Sequence, residues 1–446
     1  MEPQLGKKYG LSTAIAMVVG IVIGSGVFFK AEAVLASTGS DVGLGILAWV
    51  LVGLVMIVCA NAFATLAGRY GQVGGVVDYA EVMVGPRYAY YLGWFMATVY
   101  YPTLAAVLAW ASARYLCVLL GLDAKGGGAM LLAALFLCLS FAVNTLTPLL
   151  AGRIQTWATL IKLIPLVLMA AAGTIGGLRS GLLVENFVHP PQGAGSGSLL
   201  SAVVSVAFAY DGWVIATSIN AELHDAKRNL PLALTAGSLM IVAVYVFYYI
   251  GLTGAVTTGE LMASGEAAAR RAFARVFGAG AGTAIFVLVV VSCLGALNGM
   301  TLANCRGMYA LAARGEVSPI FGSVDPVTHM PMGSSVLGLL LACLWLLHYY
   351  GGRLAQPSWF GPFGYDTSEL PVITVYVLYI PIFLMTMVRE RDLRPFRRFV
   401  LPLLALAGCV FMAAASVLAH RGEVLPYLAV SSAIMAIGAI QLRRRQ

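Results

Sequence analysis

Lys162 is a basic residue deep inside an apolar run, Trp157-Ala-Thr-Leu-Ile-Lys162-Leu-Ile-Pro165. Counted from a span start at 153, it lies some nine residues in, about 13 Å along a helix. That is beyond comfortable snorkelling of the ammonium to an aqueous interface. The expectation is a buried ammonium held against a neighbouring broken helix, where it replaces a sodium ion or carries a proton. Asp211 is the acidic counterpart, in Phe208-Ala209-Tyr210-Asp211-Gly212-Trp213 within an otherwise apolar stretch. A carboxylate at mid-membrane costs roughly 2.5–3.5 kcal/mol. Asp followed by Gly is a poor helix interior but a good helix start, because the carboxylate caps free N–H groups. Asp211 is therefore expected to cap a second half-helix, to meet a ligand, or both.

The third unusual segment is Gly20-Ile-Val22-Ile23-Gly24-Ser25-Gly26. Each glycine weakens a helix by roughly 1 kcal/mol relative to alanine. Small residues also serve plain helix packing in lipid, so glycines alone do not decide the matter. The Asp-Gly break in the sixth apolar run does, because the two interruptions fall at corresponding positions of two five-span halves. Irregular backbone at membrane depth is tolerated where it lines a cavity or is covered by protein. A half-helix N-terminus attracts a carboxylate, and unpaired carbonyls accept hydrogen bonds from an ammonium. A site offering both suits a zwitterion, namely an amino acid.

The elements that hold these residues follow from composition. Of 446 residues 60% are hydrophobic and 10% charged, with mean hydropathy +0.89. Such a chain cannot cover a soluble surface, and it lacks the charges of a coiled coil or a disordered segment. The apolar segments are continuous rather than alternating, which argues against a β-barrel. The expected fold class is an all-α polytopic membrane protein. Twelve spans are read at 11–29, 44–67, 86–119, 128–150, 153–177, 198–221, 231–257, 279–313, 333–350, 369–388, 396–418 and 424–441. The third and eighth exceed a bilayer width and should tilt or protrude. The expected organisation is a cytoplasmic N-terminus (1–10), a first repeat (11–177), an inverted second repeat (198–388), two extra helices (396–441) and a cytoplasmic C-terminus (442–446). No small-residue cleavage site follows the first apolar run, which is expected to belong to the mature fold.

The net charge of +8 is expected to reflect cytoplasmic loops rather than nucleic acid. With both termini inside, 17 basic residues fall inside and nine outside, with Lys162 in a span. The seven cysteines are scattered without a CxxC pair, and no metal site, cofactor or disulfide framework is expected. The five histidines form no nucleophile–base pair, so no enzyme activity is expected. No long hydrophilic stretch offers a nucleotide site for ATP-driven transport.

Taken in order, Gly24-Ser25-Gly26-Val27-Phe28, Lys162, Phe208 to Trp213, Glu222 with Asn229-Leu230-Pro231, Ser292 to Asn298-Gly299, and Arg306 through Arg314 resemble the L-amino acid transporter family. That family belongs to the amino acid–polyamine–organocation superfamily, and the bacterial serine/threonine exchanger branch is the most similar. The resemblance covers roughly 10–445. It implies a five-plus-five inverted repeat with discontinuous first and sixth helices, and sodium-independent exchange of small neutral amino acids. It places the substrate carboxylate on backbone N–H groups at Ser25 and Gly26, beside Gly24, so that a side chain at position 26 would occupy the carboxylate position. The ammonium would meet carbonyls around Val22, Phe208 and Asp211, with Ala209 and Gly212 in the same segment. Phe208 would be a lid, Tyr245 would steady the unwound first helix, and Ala296 would face the substrate side chain. Phe208, Tyr245 and Ala296 are equally the residues of ordinary packing. Two departures stand out. Thr65-Leu66-Ala67-Gly68 lacks the family's acidic residue, which leaves a cytoplasmic gate contact in question. The 121–128 connection lacks a cysteine, so no disulfide-linked heavy subunit is expected. A proton-coupled symporter using Lys162, and a sensor with a transporter fold, are the competing functions. Beyond the substrate, membrane lipid is the expected partner.

Overall fold

The computed structural model describes residues 10–24, 26–70, 75–188, 198–215 and 223–445. Ten helices among the described residues are long and apolar enough to cross a membrane. The first and sixth runs are instead divided into shorter pieces at the interruptions. Leu11–Val22 ends as Ile23 turns extended (φ −68°, ψ 108°), and a new helix, Gly26–Ser37, begins two residues after Gly24. Leu199–Ala209 ends in a turn through Asp211 and Gly212. Gly212 has φ +96°, a conformation open to glycine and costly for other residues. The continuation of the sixth span over 216–222, Glu222 included, lies outside the described residues. Whether Asp211 caps that continuation is thus beyond the described chain.

Several boundaries differ from the sequence reading. The first run extends to Ser37 rather than 29. The second begins at Val42, two residues early, because the Asp41 carboxylate accepts the Leu44 N–H at 2.9 Å and caps it. The fourth and fifth spans divide at Thr147, not at 150–153. Pro148 supplies the reason: proline lacks an N–H and is pre-set for the first helical position. Lys162 thus sits 14 residues beyond Pro148, roughly 21 Å along the helix, deeper than the apolar pattern indicated. The connection between the seventh and eighth spans, 258–278, carries the helices Thr258–Ser264 and Ala268–Phe277. The long third and eighth spans are borne out as Pro86–Leu120 and Ala279–Ala313, 35 residues each. At about 1.5 Å per residue each outruns a ~30 Å hydrocarbon core.

Close backbone approaches fix these helices around the breaks. A Cβ on Gly173 would lie 2.2 Å from the Gly251 carbonyl oxygen, so the fifth and seventh spans touch main chain to main chain. Leu11–Val22 packs on the seventh span, and Gly26–Ser37 packs on Leu199–Ala209. Outward-facing leucines such as Leu131, Leu344 and Leu425 form the apolar exterior that lipid covers. At the end of the second span, Glu390 from the end of the tenth supplies a carboxylate. It takes the Arg69 guanidinium at 2.9 Å and the Tyr70 hydroxyl.

Candidate substrate site

A cavity of about 80 Å³ lies between the two broken spans. Val22, Gly24 and Gly26 line it from the first, and Phe208, Ala209, Asp211 and Gly212 from the sixth. Lys162 and Ala296 complete the set that the sequence put forward. Ser25 lies outside the described residues. Tyr245 does not line the cavity but acts one layer behind it.

The end of Leu11–Val22 exposes carbonyls with no helical partner, as every helix C-terminus does. Two are met by side chains. Lys162 Nζ donates to the Gly20 carbonyl at 3.1 Å, and the Tyr245 hydroxyl donates to the Val22 carbonyl at 3.1 Å. Lys162 is 1% exposed. Its charge faces the negative end of a helix dipole, which is the placement expected of an ammonium held by the broken first span. Room for its stem comes from Gly295, where a Cβ would stand 2.3 Å from Ala158 Cβ and 3.4 Å from Lys162 Cε. Tyr245 is itself fixed by rings, with Trp49 at 5.6 Å and Tyr210 at 5.1 Å between centroids.

Of the carbonyls expected to face an ammonium, Val22 already accepts from Tyr245 and Phe208 from the Asp211 N–H at 3.3 Å. The Val22 carbonyl retains a second lone pair for a ligand, whereas the Phe208 carbonyl also takes the Tyr210 N–H. Asp211 Oδ2 accepts the Tyr100 hydroxyl at 2.6 Å. Tyr100 closes a π-turn, Met96–Tyr100, in the third span. Such wide turns concentrate at functional sites. Sequence reading missed Tyr100; Pro102, which withholds an N–H from the ladder, was the one signal for it. It also missed Leu104, Leu108, Ile215, Gly299 and Met300, which line the cavity with apolar or small surface.

Gly26 marks where the two broken spans touch. It is the first residue of Gly26–Ser37, and a Cβ there would lie 2.6 Å from Ala209 Cα. A side chain there would strike the backbone of the sixth span. Gly24 likewise faces Ala296, at 2.9 Å between a built Cβ and Ala296 Cβ. We expect Gly24→Ala to weaken amino acid binding several-fold, and Ala296→Gly to restore it in the double variant. Equilibrium binding to the purified protein measures this coupling. A double variant as weak as Gly24→Ala alone would show that the contact does not matter.

Residues 9–440 match the amino acid permease family. The chain belongs to that family. This permease is 27% identical over 418 residues to the serine/threonine exchanger SteT of Bacillus subtilis, covering 92% of this chain and 90% of that one. It is 30% identical over 353 residues to the large neutral amino acids transporter small subunit 2 of Oryctolagus cuniculus, covering 76% of this permease but 63% of that protein. The crystal structure of MhsT in complex with L-phenylalanine shares the fold, with a TM-score of 0.57 at 14% identity, over 93% of this permease and 97% of that chain. Among the described residues no group of three or more His, Cys, Asp or Glu could hold a metal ion.

Proposed function

We propose that this permease exchanges small neutral L-amino acids across a bacterial cell membrane by alternating access, without sodium and without enzyme activity. The observation that carries this reading is the cavity itself. It is bounded by the start of one half-helix at Gly26 and by the carbonyl-bearing end of another at Val22. That pairs a positive dipole end for a carboxylate with acceptors for an ammonium. Lys162 places an ammonium at the Gly20 carbonyl, which supports a cycle with no bound sodium. The small, largely apolar lining around Ala296 and Gly299 favours compact side chains. The name of SteT, a serine/threonine exchanger, supports the small side chain, and that of the rabbit transporter, for large neutral amino acids, supports only the neutral class. The domain organisation accords with it: repeats over 11–177 and 198–388, two further helices over 396–441, and both termini cytoplasmic by the loop-charge asymmetry. Without a cysteine in 121–128, no disulfide-linked heavy subunit is part of the proposal.

Binding to purified protein tests the substrate class. L-serine, L-alanine and L-threonine are expected to bind, whereas serinamide and ethanolamine, each lacking the carboxylate, should bind at least about tenfold more weakly, the size of one charge-assisted hydrogen bond lost. Equal affinity for serine and serinamide would refute carboxylate recognition.

A further inference from the structure

Phe208 borders the cavity, and the Lys30 ammonium stands 5.3 Å from the centre of its ring. Lys30 belongs to the second half of the first span and is 4% exposed. Its Nζ lies 2.6 Å from Glu369 Oε1 and 3.0 Å from Ser368 Oγ. Glu369 opens the tenth span and is also buried. The same Oε1 accepts Ser205 Oγ at 2.8 Å, from the sixth-span piece that ends at Ala209. Its other oxygen, Oε2, lies 2.9 Å from His420 Nε2, at the end of the eleventh span. One carboxylate therefore gathers both broken spans and ties them to the end of another helix.

The groups facing His420 from its neighbours are carboxylates. Glu369 comes from the tenth span, Asp366 from the loop before it, and Glu423 from the head of the twelfth, with Glu423 Oε2 at 3.7 Å from His420 Nδ1. Behind them stand Lys30 on Glu369 and Arg353, which reaches Glu423 at 2.8 Å and Asp366 at 3.3 Å. Glu369, Asp366 and Glu423 make three negative charges, against which Lys30 and Arg353 make two. Among these six groups the charges cancel only when His420 carries a proton; Arg114 lies further off, acting with Asp366, Arg353 and Glu369 on Tyr349. A buried carboxylate short of a partner is strongly destabilising, and histidine is the side chain that changes charge between pH 5 and 8.

We propose that this cluster is a proton-operated latch on the outer side of the candidate site: protonated His420 holds Glu369 to Lys30 and Ser205 and keeps the cavity closed toward that face, and loss of the proton loosens it. The sign follows from the partners. Burial alone would push His420 down, but the hydrogen bond and charge of Glu369, with Asp366 and Glu423, outweigh burial and raise it. A raised closed-state value means that the added hold is complete below the ordinary histidine pKa of roughly 6.5. It is lost as pH rises through the raised value. The latch rests on the proposed orientation of the chain but not on transport, so it is tested without a transport assay.

The test places a reporter cysteine at Leu108, which lines the cavity. A charged, membrane-impermeant methanethiosulfonate is added to intact cells, and labelling is corrected for the protein without the reporter. His420→Gln cannot take up the proton. The ratio of its labelling rate to that of the His420 protein cancels the thiol's own pH dependence. The ratio should rise to several-fold at pH 5.5, up to about tenfold if the closed state binds the His420 proton about ten times more tightly than the open state, and approach one at pH 8.5. Lys30→Met, which removes the cation paired with Glu369, should label quickly at both values. A ratio that stays at one throughout, or does not change with pH, would overturn the proposal. So would failure to label any of these proteins, since the cluster would then guard no outer route.

Discussion

Replacing Lys162 with alanine is expected to slow amino acid exchange by about one to two orders of magnitude while the protein still inserts. The ammonium donates to the Gly20 carbonyl at 3.1 Å from a buried position. Removing it leaves that buried acceptor unmet, at a cost of about 1–3 kcal/mol, a factor of roughly 5 to 150. Insertion should survive because the change makes the span more apolar. Lys162→Met separates charge from packing, since it keeps a stem beside Gly295 and Ala158. Methionine should fail as alanine does. Exchange by purified, reconstituted protein is the measurement, and wild-type rates from either variant would return Lys162 to a packing role. If Lys162 instead carries a proton, wild-type uptake should depend steeply on the pH gradient, and the alanine variant should lose that dependence while still exchanging.

Gly26→Leu should abolish substrate binding, and Gly26→Ala should already weaken it at least about tenfold. The first added atom meets Ala209 Cα at 2.6 Å, and a backbone cannot rotate away as a side chain can. Relief requires the two broken spans to part by close to an ångström, a displacement that can cost on the order of a hundredfold at a positioned site. Gly176 is the control, because a Cβ there meets nothing within 4 Å. Its alanine variant should bind normally. Tight binding by Gly26→Ala would show that the spans tolerate separation and that the site does not depend on their contact.

Both predictions concern features legible in the sequence, for a common reason. Membrane depth makes a charge or a broken helix expensive, so Lys162, Asp211 and the glycines at 20, 24 and 26 stand out against an apolar background. The cavity gathers those it was expected to gather within the described residues. What escaped has no local signature. Lys30 and Glu369 are 339 residues apart, and each sits near a span end, where a charge ordinarily reads as a topology marker. Tyr100 looked like one aromatic among many, because a π-turn leaves a trace only in Pro102. The start of the fifth span was misplaced because the apolar pattern runs through Thr147 without a gap, and Pro148 alone marks the division. The helices within 258–278 have no apolar run long enough to stand out as a span, so that stretch reads as a connection.

Uptake of labelled L-serine into liposomes containing the purified permease, loaded or not loaded with unlabelled L-serine, tests the central claim most directly. In sodium-free buffer with no pH gradient, loaded vesicles are expected to accumulate label transiently above its external level, while empty vesicles take up at least about tenfold less over the same interval, because exchange requires a substrate on each passage. Equal uptake by loaded and empty vesicles, or uptake that appears only when sodium is added, would contradict the account.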